Sequence, residues 1–235
     1  MNDAPRGQPV GRLALGIGNP GARFVGTRHN VGFEVLDLVA ARQGANWVPN
    51  GEGDLVAQGQ TASGAWWLVK PGTFVNRSGE ALRRVLPLVD GDPGRVLVIA
   101  DDMALDLGTL RLRAAGSPGG HNGLRSVLAE LGTQAVPRLR VGIGSASAGD
   151  WTSHVLGQFT ESEAESQTRA FARAADGVWG FLQGTDLHAL AAELNRSLPR
   201  GPASGTVKSD VRDASRTDRL PEGSEETPTP PEVPR

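Results

Sequence analysis

The residue types that can transfer protons at neutral pH are concentrated at two places in this sequence. His29 and His121 each stand beside an asparagine, in glycine-containing stretches. A histidine is the usual general base, and it needs a carboxylate to fix its tautomer and to stabilise the imidazolium ion. Asp101 follows the apolar run 95–100 and is the best-placed partner for His29, while Asp102 would point the other way along a strand. Taken alone, His29 also fits a capping or packing residue, and the two aspartates fit a solvated turn. As a pair, His29 and Asp101 are predicted to activate water.

Three asparagines occupy loops of the same kind. Asn19 follows the first apolar run, Asn76 follows another that ends at Pro71, and Asn122 stands where a helix begins. Carboxamides can hold a substrate carbonyl or a developing oxyanion. Taken singly, each of these polar residues fits a cap or a turn with local hydrogen bonds. Their joint placement after strands favours a substrate site.

The sequence patterns of several other reaction types are absent from this chain. The chain has no cysteine, no Gly-x-Ser-x-Gly elbow, no His-Glu-x-x-His helix and no phosphate-binding Gly-x-x-x-x-Gly-Lys loop. Residues 16–21 match the Gly-x-Gly-x-x-Gly dinucleotide fingerprint, but Pro20 makes a turn there and no helix is expected before about Asn30. A dinucleotide enzyme is therefore disfavoured. With His29 as base, the residues predict a hydrolysis by water that uses no metal.

Apolar runs alternate with amphipathic stretches, which predicts an α/β fold. We expect a single domain with a mixed, mostly parallel, twisted sheet flanked by helices on both faces. Asn30 is expected to cap the first helix, and residues 109–113 alternate as a half-exposed strand does. The expected strands are 12–18, 65–70, 95–100, 109–113 and 138–144, and the expected helices are 31–44, 78–86, 123–131, 160–183 and 186–197.

Composition sets the limits of this domain. Residues 1–9 resemble a flexible leader, residues 10–198 form the α/β domain, and residues 199–235 are rich in Pro, Ser and charge, which predicts a disordered tail. We find no signal peptide and no apolar run near the about 20 residues that span a bilayer. The chain is therefore expected to be cytoplasmic, without a membrane partner.

The charge of the chain is unevenly distributed. The net charge is −2, yet ten Lys and Arg against seven Asp and Glu lie between Lys70 and Arg140. A positive face is compatible with this excess, and so is a surface of solvated arginines. Charge alone leaves both interpretations open.

Five motifs together resemble bacterial peptidyl-tRNA hydrolases, in the order found in that family. They are Leu-Gly-Ile-Gly-Asn-Pro-Gly with Thr-Arg-His-Asn (15–21 and 27–30), Lys-Pro-x-Thr-Phe-x-Asn-x-Ser-Gly (70–79), Asp-Asp-x-x-Leu-Asp-Leu (101–107), Gly-Gly-His-Asn-Gly-Leu-x-Ser (119–126) and Arg-Leu-Arg-Val-Gly-Ile-Gly (138–144). The likeness covers about residues 13–182. It implies a monomeric, cofactor-free enzyme that cleaves the ester between a peptide and the 3′ ribose of tRNA, so that tRNA from stalled or aborted translation is recycled.

The resemblance also implies roles for single residues. His29 would be the base, oriented by Asp101. Asn19 and Asn76 would position substrate and water, Asn122 would hold the substrate, and His121 would lie beside it in the channel. Phe24 and Val75 stand where the family often has Tyr and Met, which suggests an altered pocket wall. The arginines expected to face the acceptor-stem region of tRNA are Arg111, Arg113, Arg125, Arg138 and Arg140. An RNA-binding protein of the same fold without hydrolytic activity is the second hypothesis.

Overall fold

A computed structural model describes residues 11–146 and 149–196 of the chain. The predicted leader 1–9 and tail 199–235 lie outside the described residues. Seven strands form one sheet: β1 (Arg12–Gly16), β2 (Val48–Pro49), β3 (Leu55–Thr61), β4 (Gly64–Lys70), β5 (Val96–Asp102), β6 (Leu110–Arg113) and β7 (Arg138–Gly142). Within the described residues, six α-helices accompany it: α1 (Val31–Arg42), α2 (Ser78–Val85), α3 (Asn122–Leu131), α4 (Trp151–Leu156), α5 (Ala164–Leu182) and α6 (Leu187–Leu194).

The sheet is parallel at its centre and antiparallel at its edges. The strand order is β2-β3-β4-β1-β5-β7-β6, in which β4, β1, β5 and β7 run parallel and β2, β3 and β6 pair antiparallel. All seven residues of β5 are buried, because helices cover both of its faces. On the edge strand β6, leucines at 110 and 112 are buried while arginines at 111 and 113 are exposed. The predicted α/β fold with a mixed sheet is confirmed.

Helices cover the two faces as two separate hydrophobic layers. On one face α1, α5 and α6 pack against side chains such as Leu97, Ile99 and Leu139. On the other face α2 and α3 pack against Leu15, Val98 and their neighbours. Among the described residues, no helix is both long and apolar enough to cross a lipid bilayer.

The chain leaves β1 in a way that opens a crevice. It crosses over through α1 to reach β4 on one side of β1, and returns through α2 to β5 on the other side. In open α/β sheets ligands bind where such crossovers diverge, outside the carboxyl ends of the strands. The carboxyl ends of β1 and β5 are therefore where the predicted site residues are brought together.

Three local expectations differ from the structure. Asn30 precedes α1, but its side chain makes no bond to the helix amides, because it binds the backbone of Asn19 instead. The long helix expected over 160–183 is a 3-10 turn, Glu161–Glu163, followed by α5. The strands β2 and β3 and the helix α4 were not expected, since β2 is only two residues long, β3 has no apolar run and α4 is too short to show a helical period.

A buried ion pair fastens α2 to the loops beside the crevice. The Asp54 carboxylate is fully buried and accepts hydrogen bonds from Arg84 Nε, at 2.9 Å, and from the backbone N–H of Gly72, at 2.8 Å. Burial raises the pKa of Asp54, but the hydrogen bonds together have the larger, opposite effect, so the pKa lies below its ordinary value. The pair therefore fixes the start of the segment that carries Asn76.

We expect Arg84→Met to lower the free energy of unfolding by about 3 kcal/mol, because it leaves a buried carboxylate without its cation. Urea denaturation monitored by circular dichroism measures this. The matched control is Arg77→Met, which removes an exposed pair with Glu80 on the same helix and should leave the denaturation midpoint unchanged. Equal losses in the two variants would contradict the assignment.

Candidate active site

His29 and Asp101 meet at the carboxyl edge of the sheet. His29 lies in a single 3-10 turn, Arg28–Asn30, directly before α1, and Asp101 is the penultimate residue of β5. The distance from His29 Nδ1 to Asp101 Oδ1 is 2.8 Å. The Asp101 side chain is 3% exposed and that of His29 is 16% exposed, so the imidazole still reaches the cleft. The predicted contact between the two side chains is present.

His121 binds the same carboxylate oxygen, which the sequence did not predict. Its Nε2 lies 2.8 Å from Asp101 Oδ1. Its Nδ1 accepts the backbone N–H groups of Gly123, at 3.1 Å, and Leu124, at 3.2 Å, so that the imidazole caps α3. The sequence placed His121 in a substrate channel; it does line the cleft, but its two nitrogens contact the carboxylate and the helix.

The hydrogen bonds assign opposite tautomers to the two histidines. Since amide groups can only donate, Nδ1 of His121 must carry a lone pair, and its Nε2–H donates to Asp101. An ionised Asp101 only accepts, so His29 donates through Nδ1–H and presents the lone pair of Nε2 to the cleft. Burial raises the pKa of Asp101, but the opposite effect of His121 and His29 is larger, so the pKa lies well below its ordinary range. The arrangement therefore keeps the carboxylate ionised and His29 ready to accept a proton.

Asn19 and Asn30 lock the loop after β1. The Asn19 N–H donates to Asn30 Oδ1 at 2.8 Å, and Asn30 Nδ2 donates to the Asn19 carbonyl at 3.0 Å. The side-chain oxygen of Asn19 accepts the Val75 N–H at 3.1 Å. A dinucleotide site would need free amides in this loop and a helix beginning at Gly21. The Asn19 amide is bonded and α1 begins only at Val31, so the dinucleotide alternative is disfavoured further.

The remaining predicted substrate residues border this loop. Val75 is buried, and Asn76 is exposed on the 3-10 turn Val75–Arg77, which packs against α3. The ring of Phe24 contacts that of Phe74 edge-on, with centroids 6.3 Å apart. Asn122 is exposed at the first position of α3.

The cleft itself has a volume of about 550 Å³. Its floor is formed by His29, Asp101 and His121, and one wall comes from α4 through Trp151 and Val155. A larger depression of about 680 Å³ lies beside β2 and β3, but no histidine lines it. We therefore place the chemistry in the smaller cleft, because it holds the carboxylate and both imidazoles.

The five predicted tRNA-facing arginines separate into two groups. Arg138 is buried, and its guanidinium donates to backbone carbonyls, among them those of Gly116 and Gln134. Arg140 lines the cleft, with Nε 3.2 Å from Asp102 Oδ2. By contrast, three of them are exposed, which are Arg111, Arg113 and Arg125.

The sequence analysis missed Glu163 near the site altogether. Glu163, 135 positions beyond Arg28, accepts two hydrogen bonds from its guanidinium beside the catalytic candidate His29. The only local signal was the Thr160-x-x-Glu163 spacing of a capping box, which indicates a helix start and nothing about the partner.

Comparisons with known proteins agree on one family. The family model described as peptidyl-tRNA hydrolase matches residues 13–200. A peptidyl-tRNA hydrolase of Synechococcus sp. (strain JA-3-3Ab) is 43% identical over 191 residues, covering 80% of this chain and 83% of that protein. One from Thermoanaerobacter sp. (strain X514) is 43% identical and covers 76% of this chain and 97% of that protein.

A solved structure is similar in the same range. The crystal structure of peptidyl-tRNA hydrolase from Acinetobacter baumannii superposes with a TM-score of 0.74 at 28% identity. The superposition covers 80% of this chain and 96% of that structure. The likeness thus extends over nearly the whole of the solved protein.

We expect the two imidazoles to show opposite tautomers in solution. At a pH where both rings are neutral, ¹⁵N chemical shifts should report a protonated Nδ1 on His29 and a protonated Nε2 on His121. Single His29→Gln and His121→Gln variants assign the resonances. A protonated Nδ1 on His121 would refute the capping bonds to Gly123 and Leu124.

Proposed function

The chain belongs to the peptidyl-tRNA hydrolase family, and from this premise we propose that His29 and Asp101 catalyse the ester hydrolysis that gives the family its name. The substrate is a peptide, or an N-blocked amino acid, esterified to the 3′ ribose of tRNA. The observation that supports this most directly is that His29 lines the cleft while its Nδ1 is held 2.8 Å from Asp101, which leaves Nε2 without a hydrogen-bond partner among the described residues. We assign to the protein the recycling of tRNA from stalled or aborted translation, as a monomer in the cytoplasm.

The proposed reaction needs one base and one nucleophilic water. His29 Nε2 takes a proton from water as the oxygen attacks the ester carbonyl. The tetrahedral intermediate then expels the 3′ oxygen of the ribose, which receives that proton from the imidazolium. Asp101 stabilises the imidazolium throughout and remains ionised. General-base assistance of this kind contributes about 10²–10⁴-fold.

Carboxamides complete the proposed site. Arg125 donates to Asn122 Oδ1 at 2.9 Å, which directs the Asn122 amide group to act as a donor to the substrate. Asn76, exposed on its turn, would position the water or the oxyanion. Asn19 acts on this turn through its bond to the Val75 N–H. Neither Phe24 nor Val75 is among the described residues that line the cleft, so their part in its wall stays a prediction.

The same cluster could in principle hold a metal ion, but its hydrogen bonds oppose this. One ligand atom each from His29, Asp101 and His121 lies within 4.8 Å of the others. For His121 Nε2 to bind a cation, its proton would have to move to Nδ1, where two backbone N–H groups already donate. This supports our proposal of a hydrolysis that needs neither metal nor cofactor.

The second hypothesis, an RNA-binding protein without hydrolytic activity, explains less of the structure. Binding requires positive charge and exposed surface, whereas a carboxylate buried beneath two imidazoles serves proton transfer. The His29–Asp101 pair therefore favours the enzyme.

We expect His29→Ala to reduce the hydrolysis of N-blocked aminoacyl-tRNA by about 10²–10⁴-fold, because the base is lost. Release of deacylated tRNA in buffer containing EDTA is the measurement. The control His188→Ala removes an exposed histidine on α6 and should hydrolyse like the unsubstituted protein. Unchanged release from His29→Ala would reject the assigned base, and no release from the unsubstituted protein would reject the function. Inactivation by EDTA would reject metal independence.

Contacts to tRNA are assigned to the exposed arginines. Phosphate groups are bound by accessible Lys and Arg side chains, which excludes the buried guanidinium of Arg138. Arg111 and Arg113 project from the same face of β6, and Arg125 lies on α3 beside Asn122. We propose that these three meet the acceptor-stem region, while Arg138 and Arg140 support the cleft.

We expect Arg111→Ala combined with Arg113→Ala to weaken tRNA binding and to lessen its dependence on salt. The log–log slope of affinity against salt concentration should fall by up to about one unit for each phosphate group that no longer meets an arginine. Titration of tRNA at several salt concentrations measures this. Arg169→Ala, which alters an exposed arginine paired with Glu165 on α5, is the matched control. An identical salt slope in the double variant and the control would contradict the assignment.

A further inference from the structure

The turn that carries His29 is held from outside by the segment that joins α4 to α5. Arg28, immediately before His29, is buried, with a side chain only 8% exposed. Its guanidinium donates from Nη2 to Glu163 Oε2 at 2.8 Å and from Nη1 to Glu163 Oε1 at 3.2 Å. A bidentate pair of this kind fixes orientation as well as distance.

Further contacts bind the same turn to the same segment. The Arg28 N–H donates to the carbonyl of Gly157 at 3.0 Å, and Thr27 forms a backbone bridge with Gln158. The Arg28 guanidinium also stacks on the ring of Phe159, 4.6 Å from its centroid. The backbone on the amino side of His29 is therefore anchored to residues 157–163.

We propose that Arg28 and Glu163 are positioning residues for the reaction: their ion pair fixes the backbone at His29 so that Nε2 points into the cleft. This rests on the proposed function of His29. The Asp101 bond holds the imidazole at Nδ1 alone, and a ring held at one atom still pivots if its backbone shifts. On the carboxyl side, Asn30 is fixed to Asn19. The Arg28–Glu163 pair supplies the corresponding anchor on the other side.

Glu163 is built to stay ionised in this role. Its carboxylate also accepts the Thr160 N–H at 2.7 Å and the Thr160 hydroxyl at 3.0 Å, as the capping box of the turn before α5. Burial raises the pKa of Glu163, but the opposite effect of Arg28 and Thr160 is larger and lowers the pKa to about 2. Glu163 is thus a constant anion at neutral pH and makes a poor proton acceptor, which suits an anchor of the turn and not a base.

The anchor also links the base to a wall of the cleft. The segment 157–163 follows α4 directly, and α4 contributes Trp151 and Val155 to the cleft. A single stretch of chain therefore sets the position of both the wall and the turn that carries the base. Weakening the ion pair should change the orientation of the His29 ring more than it changes the affinity for tRNA.

The test is Glu163→Gln, which keeps the size of the side chain and the capping acceptor but removes the charge. We expect kcat for N-blocked aminoacyl-tRNA to fall about 10- to 100-fold with KM unchanged, because misplacement of a catalytic group acts on the chemical step. In the protein without substrate, the His29 ¹⁵N and Nδ1–H resonances should shift or broaden. Arg28→Lys keeps the charge but loses the bidentate geometry. Its kcat should lie between that of Glu163→Gln and that of the unsubstituted protein.

Asp176→Asn is the matched control, because Asp176 on α5 pairs with Arg42 at the exposed end of α1, away from the turn. It should leave kcat and the His29 resonances unchanged. If Glu163→Gln lowers the melting temperature but keeps kcat and the His29 resonances, the pair is only structural and the proposal fails. If the unsubstituted protein releases no tRNA, the proposed function fails, while the His29 resonances still decide whether the pair positions the ring.

Discussion

The site depends on one buried carboxylate, which is stable as an anion only if hydrogen-bond donors surround it. Asp101 is the penultimate residue of a strand that is buried along its whole length, and an ionised group in such a place is tolerated only when it is fully hydrogen-bonded. Its donors come from both sides of the sheet: His29 precedes α1, which covers one face, and His121 precedes α3, which covers the other. The starts of two helices are therefore fixed relative to β5 by a single oxygen atom. The geometry of the cleft follows from this constraint.

The same constraint gives two identical side chains different tasks. His121 has both nitrogens bonded, one to the carboxylate and one to the first amides of α3, so it cannot take up a proton without breaking the cap. In the part of the chain that the structure describes, His29 is hydrogen-bonded through Nδ1 to Asp101 alone, and its ring lines the cleft. In the proposed mechanism, the environment therefore assigns support to one imidazole and proton transfer to the other. Exchange of the two roles would require α3 to begin differently.

Much of this could be predicted from the sequence, since the signals were local. The apolar run before Asp101 indicated a central strand. The histidine that precedes a helix indicated a base near the carboxyl end of that strand. The partner Glu163 could not be predicted, because capping-box spacing identifies a helix start but not the residue 135 positions away that it binds. Arg138 was misleading for a related reason: the first residue of a strand can turn inward, and only the folded loop 114–121 shows that its carbonyls take up the charge.

The turn before α1 shows how a short 3-10 segment can hold a reactive group steady. Three residues offer little hydrogen bonding of their own; here the Asn30 N–H donates to the Thr27 carbonyl, and the remaining order comes from long-range partners. Arg28 is bound outward to Glu163, His29 inward to Asp101, and Asn30 to the loop after β1. These three partners belong to three different parts of the chain. The position of the proposed base is therefore a property of the assembled domain, and the loss of any one of these contacts should displace Nε2 of His29.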